Sequence, residues 1–298
     1  MKKKNLLCLA VICMGLLVSC TNAHRPEYKA YIVSNFDSEE DSSIDASENA
    51  VRREPLPQSY VDESVPQEKT YVYEGVEYHL QYLMTKYGAP AVNHAYLLYV
   101  DEMKGGPDFG FHSETGELVF YSSLHSDDEQ PEGAIVLTAE ERAARAYELA
   151  SKYYPSIEKL TPQPEENREK DEGEMLYSWR FNRYISGICT TEGIWLEMDA
   201  YGTLKGLFIY IPGAFDDVNI DAETEIWDQA VADMLTEQYD SEAGKYSDLE
   251  YEFGSNYYMR FNFADELVLN RSVSIECIEK NTGKEYHQSL TIEIPLQG

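Results

Sequence analysis

From residue 70 onwards the apolar residues recur with two periods, and the switches between them divide the chain into elements. The clearest helical stretch runs from Thr138 to Tyr154, where Ala143, Tyr147, Ala150 and Tyr154 recur at helical spacing. Thr138-Ala139-Glu140-Glu141 reads as a capping box, and Pro155 stops the helix. A second helix is predicted from Asp221 to Tyr239, with Ile226, Ala230, Val231, Met234 and Leu235 on its buried face. An earlier one is predicted where Leu80, Leu83, Met84 and Tyr87 share a face and Gly88 follows. Between these lie stretches of period two: Tyr177, Trp179 and Phe181; Ile194, Leu196 and Met198; Leu207, Ile209 and Ile211. Towards the C-terminus Tyr257, Met259, Phe261 and Phe263 alternate, then Val273, Ile275 and Cys277, then Leu290, Ile292 and Ile294. Alternation of this kind predicts antiparallel strands with one face on a core and the other in water. Trp195 falls out of phase with Ile194 and Leu196, which places it on the opposite face.

Three turns sit at corresponding places: His112–Val119 around Gly116, Met198–Leu204 around Gly202, and Glu279–Lys284 around Gly283. Each glycine stands where a hairpin needs positive φ. Gly116 and Gly202 are 86 residues apart, Gly202 and Gly283 are 81 apart, and the helix starts Thr138 and Asp221 are 83 apart. Features of different kinds at one spacing predict a repeated module.

A helix rich in Ala followed by a hairpin closed by Asp199-x-x-Gly202-x-Leu204 resembles the PepSY domain. The stretch Tyr177–Ile188, in which a strand bearing Arg180 and Arg183 leads to Ser186-Gly187-Ile188, is similar to the YcdB/YcdC repeats. The resemblance covers about Thr138 to Ile211; the flanking units have Ser113 and Lys280 where this one has Asp199. It implies an α+β fold of tandem PepSY-like units, each a helix packed on an antiparallel sheet, over 70–130, 131–215 and 216–298. It also implies a cell-envelope protein, in some relatives an inhibitor of a peptidase, and it brings no catalytic residues.

The N-terminus changes the picture. Lys2, Lys3 and Lys4 precede an apolar run from Leu6 to Leu17, too short to cross a bilayer of roughly 30 Å. Leu17-Val18-Ser19-Cys20 resembles the lipobox of bacterial lipoproteins. The expectation is therefore a signal peptide over 1–19, a lipid on Cys20, and a mature chain on the extracytoplasmic face of the cell membrane. Residues 20–69 include the acidic, Ser-rich stretch Asp37–Glu48 and then Pro55, Pro57 and Pro66, which reads as a flexible tether. A short strand around Tyr28–Val33 is the alternative. The formal charge of −30 excludes nucleic acid as a partner, since nucleic acid requires a basic footprint. After removal of the leader only Cys20, Cys189 and Cys277 remain, and whether the last two pair is left open.

Candidate chemistry is sparse. There is no Gly-x-Ser-x-Gly and no His-Glu-x-x-His. The six histidines, His24, His79, His94, His112, His125 and His287, are scattered. Asp217–Glu223, with Asp228 beyond, has oxygen side chains at alternate positions as calcium requires. Ala222 replaces the glycine of such a loop, and Asp221 serves better as a helix N-cap. The carboxylate clusters Asp127–Glu129 and Asp37–Asp41 read as solvated surface, and the 24 tyrosines as packing with an aromatic binding face as the alternative. No cofactor or metal is expected. The functional expectation is a non-enzymatic envelope lipoprotein that binds a protein or peptide. A glycan-binding lipoprotein and an unrecognised hydrolase are the alternatives.

Overall fold

The computed structural model describes residues 28–35, 46–54, 58–87, 95–101, 105–124, 135–170, 174–254, 256–262 and 264–296. Two α-helices occur among them. α1 (Ala139–Tyr153) begins on the expected capping box: Thr138 Oγ1 accepts from the Glu141 amide, and Glu141 accepts from the Thr138 amide. Only half of the expected stripe, Ala150 and Tyr154, is buried. Ala143 and Tyr147 are exposed, while Arg142, Ala146, Leu149 and Ala150 point inwards. Arg142 can do so because Glu165 takes two of its guanidinium nitrogens, at 2.8 and 3.1 Å. α2 (Thr224–Tyr239) starts at an N-cap on Glu223 rather than Asp221, and buries Trp227, Val231, Met234, Leu235 and Tyr239.

The expected first helix is a strand. Among the described residues seventeen strands form one hydrogen-bonded mixed sheet. The early ones are β1 (Tyr31–Asn35), β2 (Val51–Glu54), β3 (Gln58–Tyr60), β4 (Glu68–Tyr73), β5 (Val76–Tyr87), β6 (Tyr96–Asp101), β7 (Asp108–His112) and β8 (Leu118–Ser122). Between the helices lie β9 (Leu160–Pro162), β10 (Glu166–Glu169), β11 (Met175–Ile185), β12 (Ile188–Asp199) and β13 (Leu204–Tyr210). After α2 come β14 (Tyr246–Phe253), β15 (Tyr258–Phe261), β16 (Leu267–Glu279) and β17 (Glu285–Pro295). Tyr78, Leu80 and Tyr82 alternate along β5 until the pairing with β6 shifts between Tyr82 and Met84. That shift reverses the parity, so Leu80, Leu83, Met84 and Tyr87 imitate helical spacing within an extended strand.

The expectation of three helix-on-sheet units does not hold. An antiparallel run β4-β5-β6-β7-β8 continues through β8–β13 pairing into β13-β12-β11. Residues from both ends of this run, Tyr73 and Leu80 on one side and Trp179 and Phe181 on the other, share one core with Ala146, Leu149 and Ala150 of α1. The segments assigned to units 70–130 and 131–215 therefore bury a single helix between them. The second core gathers α2 with β14 to β17 and, from the segment expected to be a tether, Ala30 and Ile32. β1 pairs antiparallel with β17 and parallel with β2. The strand alternative at Tyr28–Val33 is thus the observed one, because burying Ile32 at 0% exposure offsets the entropy of ordering it.

The two halves meet where β12 runs parallel to β15 for two residue pairs, Cys189 with Tyr258 and Thr190 with Met259. Beside that seam the Glu192 carboxylate, 1% exposed, accepts from Tyr154 Oη at 2.6 Å, Arg183 Nη1 at 3.0 Å and the amides of Gly213 and Phe215. Cys189 and Cys277 are both free thiols.

Candidate functional site

The site follows from two turns and the end of α1. Tyr73 and Val76 close the β4–β5 hairpin around Glu74 and Gly75, whose φ angles of 52° and 82° make a two-residue primed turn. Opposite it lies the turn between β12 and β13. Asp199, 5% exposed, accepts from the amides of Tyr201 and Thr203 at 2.9 Å, and Gly202 adopts φ 82°. The sequence marked that turn correctly. Gly116 and Gly283 also have positive φ, at 71° and 69°.

Between these turns and the last two turns of α1 opens a groove of about 650 Å³. Tyr73, Tyr121, Tyr153 and Tyr201 line it, together with Glu74, Arg145, Glu148 and Lys152. The Tyr73 ring lies 4.8 Å from that of Tyr121 at 28° and 6.2 Å from that of Tyr153 at 19°. Tyr153 Oη donates to Glu74 Oε1 at 2.6 Å, so its 2.7 Å contact with Tyr73 Oη takes the hydrogen of Tyr73. Lys152 Nζ donates to the same Glu74 oxygen. Hydrogen bonds from Lys152 and then Tyr153 hold the Glu74 carboxyl below its ordinary range. Burial, then the contact with Tyr153, pushes the Tyr73 phenol well up; burial, then the hydrogen bond to Glu74, does the same for Tyr153. Both phenols therefore stay protonated near neutral pH and act as hydrogen-bond donors, not as bases.

The groove begins where β4 ends, and β4 is an edge strand that pairs with β5 alone among the described residues. The primed turn fixes the pattern: Tyr73, Tyr71 and Lys69 exchange hydrogen bonds with β5, so the amides and carbonyls of Thr70 and Val72 point the other way. Thr70 and Val72 are exposed, Val72 at 59%. An extended chain placed there meets main-chain donors and acceptors and is led towards Tyr73.

Other expected residues lie elsewhere. Cys20, His24, His94, His125, Asp37–Asp41 and Asp127–Glu129 are outside the described residues. His79, His112 and His287 sit on three separate strands. Asp217 and Asp221 are exposed in the loop before α2, and Asp228 is bound to Arg271 at 2.6 Å. Among the described residues no group of three His, Cys, Asp or Glu side chains could hold a metal ion. No helix among them is long and apolar enough to cross a membrane. The groove residues were missed in the sequence. Their signal was there in Tyr71 and Tyr73 alternating into Glu74-Gly75, a strand end and turn that the sequence analysis did not single out. No protein family, curated protein or solved structure matches the chain.

Proposed function

We propose that this chain is a membrane-anchored extracytoplasmic binding protein, held by a lipid on Cys20, that takes an extended peptide segment along β4 and into the tyrosine groove. The observation that carries the reading is the edge at Thr70 and Val72, unpaired among the described residues, running into a groove of tyrosine rings (Tyr73, Tyr121, Tyr153) and paired charges (Glu74 with Lys152, Arg145 with Glu148). A peptide supplies the main-chain groups that such an edge can pair, whereas a glycan supplies none in that geometry. The acidic, Ser-rich chain before β4 does not act as a long spacer in this reading. Ten residues lie between Cys20 and Tyr31, and the eleven steps reach about 38 Å at full extension. The groove would work close to the membrane and on the segments of neighbouring envelope proteins.

The test is selection from a random-peptide display library on the full mature chain, followed by affinity measurement with Thr70→Pro. Proline removes an outward amide without removing a ladder bond, so the fold tolerates it. Selected peptides that lose about ten-fold or more in affinity on this variant support the reading. Failure to select peptides, with binding on a glycan array instead, overturns it.

A further inference from the structure

At three places among the described residues this chain stacks an arginine on an aromatic ring and fastens it with a carboxylate. Arg142 Cζ lies 3.8 Å from the centroid of the Tyr177 ring, and its guanidinium is bound to Glu165 at 2.8 Å. Arg52 Cζ lies 4.1 Å from that of Tyr31 and is bound to Glu266 and Glu293. Arg271 Cζ lies 4.1 Å from that of Phe253 and is bound to Asp228. The negative face of the ring and the carboxylate attract the same cation, and the flat guanidinium fits both.

The tyrosine groove holds the same two elements. The half-buried Tyr153 ring lines it, and Lys152 Nζ already stands 5.4 Å from the centroid of that ring. Glu74 and Glu148 line it too, and each uses one oxygen. Glu74 Oε1 accepts from Lys152 and Tyr153, and Glu148 Oε2 accepts from Arg145. Among the described residues the second oxygen of each accepts nothing. The edge that leads into the groove is acidic. Asp62, Glu63, Glu68 and Glu77 flank it, whereas the cation of the strand itself, Lys69, holds Nζ 3.4 Å from the centroid of the buried Phe111 ring. The whole chain has 54 acidic and 24 basic side chains, a balance that no internal pairing alters, and its field draws a cationic ligand.

We infer that the segment taken along β4 is basic and seats an arginine in the groove, its guanidinium on the Tyr153 ring and on the unused oxygens of Glu74 and Glu148. The inference rests on the peptide reading above and adds the chemical class of the ligand. Side chains alternate along an added strand, so every second one lies on the face of Tyr71 and Tyr73. The one beside Tyr73 enters the groove. An acidic side chain there meets repulsion from the charge of the chain, and a neutral one leaves the ring face and two oxygens without the cation that suits them. Lysine brings the charge without the plane that stacks. Glu148 is the specificity-determining residue most easily changed, because its side chain is 70% exposed and its bond to Arg145 is a surface pair.

The probes are three labelled peptides of about ten residues in which Ser and Val alternate, an extended segment long enough to cover β4. They differ only at one central position, which carries arginine, citrulline or glutamate. Fluorescence anisotropy is read on the full mature chain. The arginine peptide should bind about five-fold or more tighter than the citrulline peptide, which keeps the plane and lacks the charge, and the glutamate peptide should bind weakest. Glu148→Lys should abolish the preference for arginine, while Thr70→Pro should weaken all three peptides alike. Binding that Thr70→Pro weakens, with equal affinity for arginine and citrulline, overturns this inference and leaves the peptide reading standing. A preference for arginine that survives both Glu148→Lys and Glu74→Gln also overturns it. Binding that Thr70→Pro leaves unchanged overturns the peptide reading and this inference with it. Where none of the three binds, the peptides taken from the display library decide: enriched arginine supports the inference, sequences without it overturn it, and an empty selection overturns both.

Discussion

The Tyr154 hydroxyl donates to Glu192 Oε1 at 2.6 Å and so ties the residue after α1 to β12, next to the seam with β15. The same carboxylate holds Arg183 and the amides of Gly213 and Phe215, which lie on the path to α2. Removing it leaves a guanidinium only 14% exposed and two amides short of an acceptor. Glu192→Ala should cost about 3 kcal/mol, the scale of a broken buried ion pair, and lower the urea midpoint accordingly. A loss under about 1 kcal/mol would mean that Asp216 and water take over its partners.

Gly110 on β7 and Gly206 on β13 should differ in tolerance of a side chain. Gly110→Ala sets a Cβ against the Cβ of Phe120, which cannot move without its strand, and should cost about 1–3 kcal/mol. Gly206→Ala meets only the outer edge of the half-buried Trp195 ring, which can tilt, and should cost less. Thermal unfolding of the two variants gives the order directly.

Within the groove the hydrogen bonds run from Tyr73 to Tyr153 to Glu74. Tyr73→Phe removes the first donor and leaves every remaining group satisfied. Tyr153→Phe strips the acceptor from the buried Tyr73 hydroxyl and one donor from Glu74. The second variant should therefore lose about 1–2 kcal/mol more stability than the first, measured by chemical denaturation.

Burial pushes the phenols of Tyr73, Tyr153, Tyr154 and Tyr257 above the ordinary tyrosine value of 10. A raised folded-state value favours the protonated form. The stabilisation is thus fully present below the ordinary value and is lost as the pH climbs towards the raised ones. Spectrophotometric titration should show these four tyrosines silent until the chain unfolds in alkali, then ionising together with loss of the circular dichroism signal.

Lipid attachment has its own test. Metabolic labelling with a fatty acid should mark the native chain, and Cys20→Ser should remove both the label and the membrane association. An unlabelled native protein would end the membrane part of the proposal and leave the groove untouched.

Much of the local structure was legible in the sequence. The capping box at Thr138, the strands around Trp179 and Leu196, and the glycine turns all carry their own short-range chemistry. The outward placement of Trp195 also followed from parity alone. What was lost depends on long-range pairing. β5 imitated a helix because a register shift at Leu83 changes the phase of its apolar residues. Half of the α1 face was misjudged, because burying Arg142 requires Glu165, 23 residues away. The merging of two supposed units around one helix rests on the β8–β13 pairing of Phe120 with Phe208, which no local pattern announces. The groove shares that origin, since Tyr73 and Tyr153 are 80 residues apart.

The central claim is that an extended peptide adds to β4, and amide hydrogen exchange tests it most directly. With a selected peptide at saturation, the amides of Thr70 and Val72 should slow by about ten-fold or more, while those of Tyr71 and Tyr73, already bonded to β5, change little. Unchanged exchange at Thr70 and Val72 in a chain that demonstrably holds the peptide would contradict the account.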